Sequence, residues 1–439
     1  MKKALKISAG FLFGAAFVFA GCSSFKKMFT GYSATIEDGI ENGTVTADKT
    51  EGIAKESTVT LSFAPAEGYE WDTVSVKAGE KEEEVAVSAN TFIMPSDDVK
   101  ISATFKKCVP TKSKPESVGD LVLNDGTAVS FENISEMPAG QKAKAVAVIF
   151  YVGDECSNNG ENRVLGVGLV HEMAQWQKEK VTTNVSSGSG FLNAAKSFAV
   201  ETAKEISSDS SSSNPTACYI QVDTVGNVVG EASKKAFSAT NMSKVQYVID
   251  SYIFKGDKNG SDNFAQLSAF LKSSGKDNTA PVSLSGEDLR KGEPTLSKLK
   301  IFEGQNYPAF YFAKNYKDYK LDYTTMEPGL FTSKTVRVYK HTNVGKYESG
   351  WYLPSIVELF QIWKNKDIVN KAVSACGGDE FGEDSSFLSS SQYTNMIIDG
   401  VESKVTKGEN CIFNLRFSNG GCSHDYKDNT GAVCAIREF

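Results

Sequence analysis

The chain has 439 residues, which is long enough for two or more domains, because domains cluster near ~100–150 residues. Its formal net charge is −7, and its basic runs, Lys26-Lys27 and Lys106-Lys107, are short. Nucleic-acid binding needs clustered lysines and arginines, so the composition argues against a nucleic-acid partner.

The N-terminus has the pattern of an export signal. Lys2, Lys3 and Lys6 precede the apolar segment Ile7–Ala20, which is too short to span a bilayer, and Cys22 follows a small-residue processing site. This order resembles a bacterial lipoprotein signal, in which the cysteine becomes the acylated N-terminus; the alternative is an ordinary secretory signal. The resemblance implies an exported protein held to the membrane by its acyl anchor, in the outer membrane and exposed at the surface.

Residues 31–106 alternate apolar and polar side chains, which is typical of half-buried strands joined by turns. The predicted strand segments are Gly43–Thr46, Ser57–Phe63, Gly68–Trp71, Phe92–Pro95 and Val99–Phe105. The order of these segments resembles the divergent internalin B-type repeat of surface proteins, a β-grasp-like module. The resemblance implies a spacer that holds another domain away from the membrane. The acidic tract Glu80–Glu84 is predicted to be a solvated hairpin loop.

The middle of the chain contains a linker, a hairpin and a central strand. Residues 107–116 carry prolines and alternating lysines, the composition of a linker. Val118–Leu123, followed by the turn residues Asn124-Asp125-Gly126, predicts a hairpin. The continuous apolar run Ala145–Val152 predicts a strand that is buried on both faces.

Further elements are predicted before residue 350, some of them inside insertions at about 172–241 and 273–299 that have no assigned role. The first two are an amphipathic helix at Phe191–Ile206 and a mobile serine loop at Ser207–Ser213. A second helix is predicted to be capped by Ser261 or Asp262, with Phe264, Leu267 and Leu271 on one face. An aromatic strand is predicted at Tyr307–Lys317.

The segment Gly350–Phe439 begins with two helices. Ser355 and Glu358 have the spacing of a capping box, and Ile356, Leu359, Phe360 and Trp363 form one apolar face. A second helix is predicted with Asp367 as its cap and Gly377 just past its end. Short β-prone pieces at Cys411–Phe417 and Val433–Ile436 follow. Helices followed by a loop-rich sheet predict an α+β fold.

Three motifs carry a resemblance to a known family: Gly350-Trp351-Tyr352-Leu353-Pro354-Ser355 at the helix start, Ser389-Ser390-Ser391-Gln392-Tyr393, and the terminal Val433-Cys434-Ala435-Ile436-Arg437-Glu438-Phe439. They resemble the bacterial C-type lectin fold shared by formylglycine-generating-enzyme-like proteins and by the variable proteins of diversity-generating retroelements, especially the treponeme-type variable lipoproteins. The chain departs from that pattern at Leu388, where an aromatic residue is usual, and at 395–409, which is extra length.

The resemblance implies that exposed positions before the closing strand contact a protein or glycan ligand, and that these positions can be diversified. The contact positions that it implies are Asn414, Arg416, Ser418, Asn419, Ser423, His424, Asp425, Tyr426, Lys427, Asp428, Asn429 and Thr430. Their composition, rich in Asn, Ser and Asp with one Tyr, is typical of adaptable contact loops, although any surface turn is also rich in these residues.

Two other functions are compatible with the sequence: an oxidase of the formylglycine-generating type and an envelope-structural lipoprotein without a specific ligand. The oxidase would need a cysteine pair, and the candidates are Cys376, Cys411, Cys422 and Cys434. Their spacing gives no sign of an activated thiol, because no histidine or aspartate partner accompanies them. Exported cysteines are more often paired or buried, and discounting Cys22 leaves an odd number of the 8 cysteines. We therefore expect no enzyme.

No metal or cofactor is predicted. The sequence Asp257–Asp262 is superficially similar to a calcium loop but lacks the distant bidentate glutamate, so a turn and helix cap is the preferred interpretation. The histidines His171, His341 and His424 are scattered, without the spacing of a zinc site.

The predicted organisation is a lipoprotein signal peptide at 1–21, an anchor linker at 22–30, a repeat domain at 31–106, a linker at 107–116 and a head domain at 117–439.

Overall fold

The structure is a computed structural model. It describes residues 31–88, 90–178, 218–223, 242–248, 251–255, 257–273, 279–280, 305–316, 320–328, 333–340, 344–398, 401–403 and 411–439. The chain divides into two compact units, Met1–Lys106 and Lys107–Phe439. The predicted signal peptide with Cys22, the predicted helix at 191–206 and the serine loop at 207–213 lie outside the described residues.

The described part of the first unit consists of short strands. They are β1 Ala34–Ile36, β2 Gly43–Ala47, β3 Thr58–Pro65, β4 Tyr69–Ala78, β5 Glu83–Glu84, β6 Val87–Ser88, β7 Thr91–Ile93 and β8 Val99–Lys107. They form two four-stranded sheets, in the orders β1-β8-β4-β5 and β2-β3-β7-β6. The predicted strand segments of this region are confirmed, and the exposed tract Glu80–Glu84 lies at the β4–β5 hairpin as expected.

The core of the first unit follows from strand alternation. Val99, Ile101, Ala103 and Phe105 are buried along β8, while the residues between them are exposed or half-buried. Successive side chains of a strand point to opposite faces, so an alternating sequence buries one face of the sheet. Met94 belongs to the same cluster and is fully buried.

The second unit adds the remaining strands and the helices. The strands are β9 Leu121–Leu123, β10 Ala128–Val129, β11 Ala145–Gly153, β12 Arg163–Gly168, β13 Glu172–Gln175, β14 Cys218–Asp223, β15 Met242–Val248, β16 Ser251–Lys255, β17 Lys320–Pro328, β18 Ser333–Lys340, β19 Ser386–Ile398, β20 Val401–Ser403, β21 Cys411–Arg416, β22 Cys422–Tyr426, β23 Thr430–Val433 and β24 Ile436–Glu438. The α-helices are α1 Ala139–Lys142, α2 Asn263–Ser273, α3 Pro308–Lys314, α4 Ile356–Lys364 and α5 Lys366–Ala375, and short 3-10 helices lie at Phe131–Glu136 and Gly345–Tyr347.

Two sheets organise the second unit. One has the order β10-β9-β11-β12-β24, and the other is nine-stranded with the path β13-β23-β19-β14-β15-β16, to which β20, β21 and β22 attach. Strands β17 and β18 pair only with each other in the described part of the chain. Helices and sheets together confirm the α+β prediction. Within the described residues no helix is long and apolar enough to cross a membrane.

Strand β11 is central, as predicted from its apolar run. Its side chains divide between two buried clusters: Val148 and Phe150 pack with α4 and α5, whereas Val146 and Ile149 pack with the aromatic side that includes Trp176. A strand that is covered on both faces needs apolar residues at consecutive positions, which explains the unbroken run. The predicted hairpin before it is also confirmed, since β9 pairs with β10 and Gly126 has φ 98° in the turn.

Helix α4 begins where the capping box predicts. The Ser355 side chain accepts a hydrogen bond from the Glu358 backbone N–H, and the Glu358 side chain accepts one from the Ser355 backbone N–H. Helix α5 begins differently from the prediction: Asn365 is its N-cap residue, and Asp367 lies inside the first turn. Gly377 follows the C-cap with φ 70°, as predicted.

Two strand predictions are wrong. Tyr307–Lys317 contains helix α3, with Pro308 in its first turn, where proline's missing N–H costs nothing. The segment Val433–Ile436 is not one strand, because Cys434 and Ala435 lie between β23 of one sheet and β24 of the other. The helix predicted after Asp262 is confirmed as α2, with Leu267 buried.

Candidate functional site

The predicted contact positions lie on the β21–β22 hairpin and in the segment up to β23. Arg416, Ser418, Asn419, Tyr426, Asn429 and Thr430 are exposed, and Ser423, Asp425 and Asp428 are half-buried. Asn414 and Lys427 are 6% and 4% exposed, so the expectation of surface exposure is wrong for these two. The side chain of His424 lies outside the described residues.

The hairpin separates these positions into two groups. Cys422 pairs with Leu415 at the turn, and Tyr426 pairs with Cys411 at the opposite end. Four residues of strand span roughly 14 Å at ~3.4 Å per residue, so Ser418 and Asn419 lie well away from Tyr426. The sequence suggested one loop, whereas the structure places these positions at two ends of a hairpin.

The turn after Tyr426 is held by its own hydrogen bonds. The Asn429 backbone N–H donates to the Tyr426 carbonyl at 3.0 Å, and Asn429 Nδ2 donates to Asp425 Oδ1 at 2.5 Å. Lys427 points inward, and its Nζ lies 4.8 Å from the centroid of the buried Trp176 ring. A buried cation over an indole face is favourable, which explains why the lysine is not a surface residue.

Strand β13 lies beside this turn and contributes residues that the sequence did not single out. It pairs with β23, with Gln175 opposite Thr430 and Met173 opposite Ala432. Gln175 Nε2 donates to the Asp428 carbonyl at 2.7 Å, and Met173 is 54% exposed. The alternation of Met173, buried Ala174 and Gln175 was a local signal, but it was too short to find within the predicted insertion at 172–241.

We define the candidate contact surface as the exposed or half-buried residues Met173, Gln175, Tyr426, Asn429 and Thr430. Tyr426 is 43% exposed and Met173 54%, so this set contains two large exposed apolar side chains as well as amide and hydroxyl groups. Tyrosine supplies contact area with few rotatable bonds, and asparagine supplies adaptable hydrogen bonds. The surface can therefore hold a partner by mixed apolar and polar contacts.

The other end of the hairpin packs against helix α4. Gly420 has φ 70°, and a Cβ there would lie 2.6 Å from the Trp363 ring. Asn419 closes the turn by accepting a hydrogen bond from the Gly421 backbone N–H at 2.9 Å. Glycine is required at this position by both the backbone conformation and the close ring, so this end is a packed turn with Ser418 and Asn419 at its exposed tip.

A buried ion-pair cluster ties the strands and helix of the second unit together. Arg163 Nη1 donates to Glu358 Oε1 at 2.9 Å, Nη2 donates to Tyr352 Oη at 2.8 Å, and Nε donates to Glu438 at 3.0 Å. Although burial disfavours the cation, the charges of Glu358 and its neighbours raise the pKa of Arg163 above its usual range. Arg163 therefore links β12 to α4 and β24.

Glu358 is fully occupied as an acceptor. Besides Arg163 and Tyr352 it accepts the backbone N–H groups of Ser355 and Gly260, at 2.8 and 3.2 Å. Burial raises the pKa of Glu358, and Arg163 opposes that shift. With each carboxylate oxygen holding two donors, Glu358 acts as a structural anion and has no position left for a substrate.

The loop Asp257–Asp262 forms a turn that leads into α2, in agreement with the turn expected from the sequence. Asp257 accepts hydrogen bonds from Asn158 Nδ2 at 2.8 Å and from the Asn259 backbone at 3.2 Å. Ser355 Oγ donates to the Lys258 carbonyl at 2.7 Å, which fastens the loop to α4. Burial raises the pKa of Asp257 to about 6. Among the described residues no cluster of acids, histidines and cysteines could hold a metal ion.

The four candidate cysteines of the oxidase alternative lie at four different places, and Cys411 begins β21 opposite Tyr426. Cys376 follows α5, Cys422 begins β22 opposite Leu415, and Cys434 lies between β23 and β24. Cys434 and Cys156 are buried free thiols, and burial raises the pKa of each. A thiol with a raised pKa is protonated at neutral pH and is a poor nucleophile.

Comparison with known proteins identifies the first unit. Residues 32–108 match the family described as the divergent InlB B-repeat domain. This confirms the resemblance of residues 31–106, and we call the segment the repeat domain. The repeat domain is much less than half of the chain, so it does not define the family of the whole protein.

The remaining comparisons add little about the second unit. A fimbrial protein from Bacteroides ovatus ATCC 8483, known from a crystal structure, is 11% identical and covers 93% of this chain and 69% of its own, with a TM-score of 0.32. A TM-score of this size supports no inference about fold or function. No curated protein matches the chain. The resemblance to the C-type lectin fold therefore remains a prediction.

Proposed function

We propose that this protein is an exported lipoprotein of the bacterial cell envelope, acyl-anchored at Cys22 in the outer membrane and exposed at the surface. In this proposal the repeat domain is a β-grasp-like spacer, and the second unit is a C-type-lectin-fold head that binds a protein or glycan ligand. The repeat-domain match supports a surface location, because the divergent internalin B-type repeat occurs in surface proteins.

The candidate contact surface is the observation that carries the binding proposal. Tyr426 and Met173 are among the few large apolar side chains that are strongly exposed in the described part of the chain. They lie on β13 and at the start of a hydrogen-bonded turn, next to a fully buried core that includes Trp176 and Val433. Contact residues tend to lie on loops that a rigid scaffold holds in place.

The fold proposal is supported by the order of the elements. Helices α4 and α5 precede strands β19 to β24, and the final strand β24 returns to pair with β12 in the first sheet. The G-W-x-L-P-S motif begins α4, and the serines of the second motif, Ser389, Ser390 and Ser391, are buried in β19. The residues of these motifs are thus part of the scaffold of helices and sheets, as the resemblance implies.

Binding is tested with the mature full-length chain on arrays of defined glycans and of purified surface proteins. We expect Tyr426→Ala to reduce binding of the retained probe at least tenfold. Val152→Ala is the matched control, since Val152 is 42% exposed against 43% for Tyr426 and lies on β11. Binding that is equal in wild type and Tyr426→Ala would contradict the proposed surface.

Anchoring is tested separately by metabolic labelling with radioactive palmitate in a bacterial host. Wild type should incorporate label and partition into the detergent phase, and Cys22→Ala should do neither. Digestion by protease added to intact cells then tests surface exposure. Label that persists in Cys22→Ala, or complete protection from protease, would contradict this part of the proposal.

The resemblance further implies that the contact positions vary among strains. We expect substitutions to concentrate at exposed positions such as Tyr426, Asn429 and Thr430, and to be rare at buried Asn414 and Lys427. Aligned sequences from many strains measure this directly, and equal variation at buried and exposed positions would contradict a diversified contact surface.

A further inference from the structure

The sheet around the start of β19 has two outer strands, β13 and β22. Its hydrogen-bonded neighbours run in the order β13-β23-β19-β21-β22, and in the described part of the chain β13 pairs only with β23 and β22 only with β21. An outer strand presents N–H and C=O groups with which another strand can pair, and exposed apolar side chains add to that hazard. Each of the two strands carries such a side chain: Met173 is 54% exposed and Tyr426 43%.

The backbone N–H of Tyr426 is directed away from the sheet. The Arg416 N–H donates to the Gly421 carbonyl at 3.0 Å, which makes these two residues a hydrogen-bonded pair of the β21–β22 ladder. Such pairs alternate with non-hydrogen-bonded pairs along an antiparallel ladder, so Tyr426, opposite Cys411, is in a non-hydrogen-bonded pair. Its N–H therefore faces the outer side of β22, where it donates to Oδ1 of the preceding residue, Asp425, at 2.8 Å.

Strand β13 has the same arrangement. The Met173 N–H donates to Oε1 of the preceding residue, Glu172, at 2.9 Å. Alternate residues of an outer antiparallel strand direct their N–H groups away from the neighbouring strand, and this donation to a side chain marks Met173 as one of them. On each outer strand, therefore, a carboxylate covers the outward N–H of the very residue whose apolar side chain is exposed.

The two carboxylates make addition of a further strand unfavourable. An incoming strand would replace a charge-assisted hydrogen bond by an ordinary backbone one, which is weaker. It would also remove water from a charged group, and that costs free energy when no cation is supplied in return. Asp425 is held in position by a second donor, because Asn429 Nδ2 donates to the same Oδ1 at 2.5 Å.

We propose that Glu172 and Asp425 guard the two outer strands against pairing with a strand of a second copy of this chain. Every copy carries both strands, so an unguarded β13 of one molecule could pair with β22 of the next, and repetition of that contact would build an open chain of molecules. The guards allow Met173 and Tyr426 to remain exposed without self-association. The proposal concerns backbone pairing and does not depend on the binding of any ligand.

The test measures self-association of the mature full-length chain by sedimentation velocity, with Cys22→Ala in every protein so that acylation contributes nothing. The variant Glu172→Thr/Asp425→Thr removes both carboxylates and leaves strand-forming residues in their place. We expect it to raise the association constant about tenfold over wild type, the size of effect that one charge-assisted hydrogen bond provides.

The control is Asp97→Thr/Glu67→Thr, which removes the same net charge. Asp97 also accepts the N–H of the residue after it, Asp98, at 2.8 Å, but it lies in the segment before β8 and not on a strand. Glu67 is exposed between β3 and β4. The association constant of this control should equal that of wild type.

A conservative pair of substitutions keeps the proposal testable if the threonine variant does not fold. Glu172→Gln/Asp425→Asn keeps an acceptor beside each N–H and removes the charge, so its association constant should rise above wild type by less than in the threonine variant. Hydrogen exchange identifies the contact, because the Met173 and Tyr426 amides should exchange more slowly in the associated protein than in the monomer. The proposal is overturned if the folded variants associate no more than wild type, if the control associates equally, or if neither amide is slowed.

Discussion

Arg163 and Glu358 form an ion pair of 2.9 Å in which the side chains are 5% and 0% exposed. The pair joins β12 to the first turn of α4, and the same glutamate completes the capping box with Ser355. A single carboxylate thus serves local helix initiation and long-range packing at once. Loss of this carboxylate should therefore weaken both the start of α4 and the packing of α4 against β12.

We predict that Glu358→Gln destabilises the second unit by about 3–5 kcal/mol, because it leaves Arg163 buried without its main counter-charge. Urea unfolding followed by tryptophan fluorescence measures the change as a lower midpoint at similar slope. Lys364→Gln is the control: its exposed pair with Glu155 has an N–O distance of 3.7 Å and should contribute no more than about 1 kcal/mol. Equal effects of the two substitutions would contradict a structural role for the buried pair.

Removing the N-cap side chain of α4 should lower stability less than removing the Glu358 charge. Ser355→Ala removes the acceptor for the Glu358 backbone N–H and the donor to the Lys258 carbonyl. The expected loss is about 1–2 kcal/mol, the upper part of the range for a cap residue. Ser374→Ala, on the exposed side of α5, should change stability by less than about 0.5 kcal/mol. Thermal unfolding of the two variants compares them, and a Ser355→Ala effect as small as that of Ser374→Ala would be inconsistent with the cap.

Asp257 makes stability depend on pH. Its pKa is raised from 3.8 to about 6, because burial disfavours the carboxylate. The folded state therefore binds the proton more tightly than the unfolded state, so this stabilising contribution is fully present below about pH 4 and is lost as the pH rises through about 6. At about 1.4 kcal/mol per pKa unit the loss is about 3 kcal/mol.

The corresponding measurement is the difference in unfolding free energy between Asp257→Asn and wild type at several pH values. The amide keeps an acceptor for Asn158 Nδ2 and does not titrate. The free energy of unfolding of Asp257→Asn, relative to that of wild type, should rise between pH 4 and pH 7. Above pH 7 the difference should stay constant. A difference that does not change with pH would show that Asp257 has an ordinary pKa.

Leu388 and Gly431 form a tightly packed contact between β19 and β23. Leu388 is 1% exposed, and a Cβ on Gly431 would lie 2.6 Å from its Cδ2. Leu388→Ala should cost about 2–5 kcal/mol by opening a cavity, and Gly431→Ala about 1–3 kcal/mol by overpacking. In the double variant the new methyl group occupies part of the cavity, so the loss should be smaller than the sum. Strict additivity in a double-mutant cycle would contradict direct contact.

Local chemistry explains which elements the sequence predicted well. The capping box of α4, the Asn-Asp-Gly turn and Gly377 after α5 depend on residues within a few positions of each other. The alternating strands of the repeat domain are equally local, since every second residue faces the core. Such patterns need no knowledge of distant partners.

The failures have non-local causes. Tyr307–Lys317 is rich in aromatic residues, which favour strands, but the segment is a helix whose Phe310 and Phe312 fill the core beside Trp176. The segment around Cys434 and Ala435 passes from one sheet to the other, so an apolar run that reads as one strand is divided. Asn365, and not Asp367, is the N-cap residue of α5, because α4 ends at Lys364 and α5 begins at Lys366.

The sequence by itself determined the α+β class, the repeat domain and the capped helix that begins the last segment, because each depends on spacing between near neighbours. Only the tertiary structure decided which of the contact positions are exposed, brought Gln175 to the turn after Tyr426, and placed Met173 opposite Ala432 of β23. These features depend on strands far apart in the chain, and their pairing is set by packing of the whole core rather than by any local pattern.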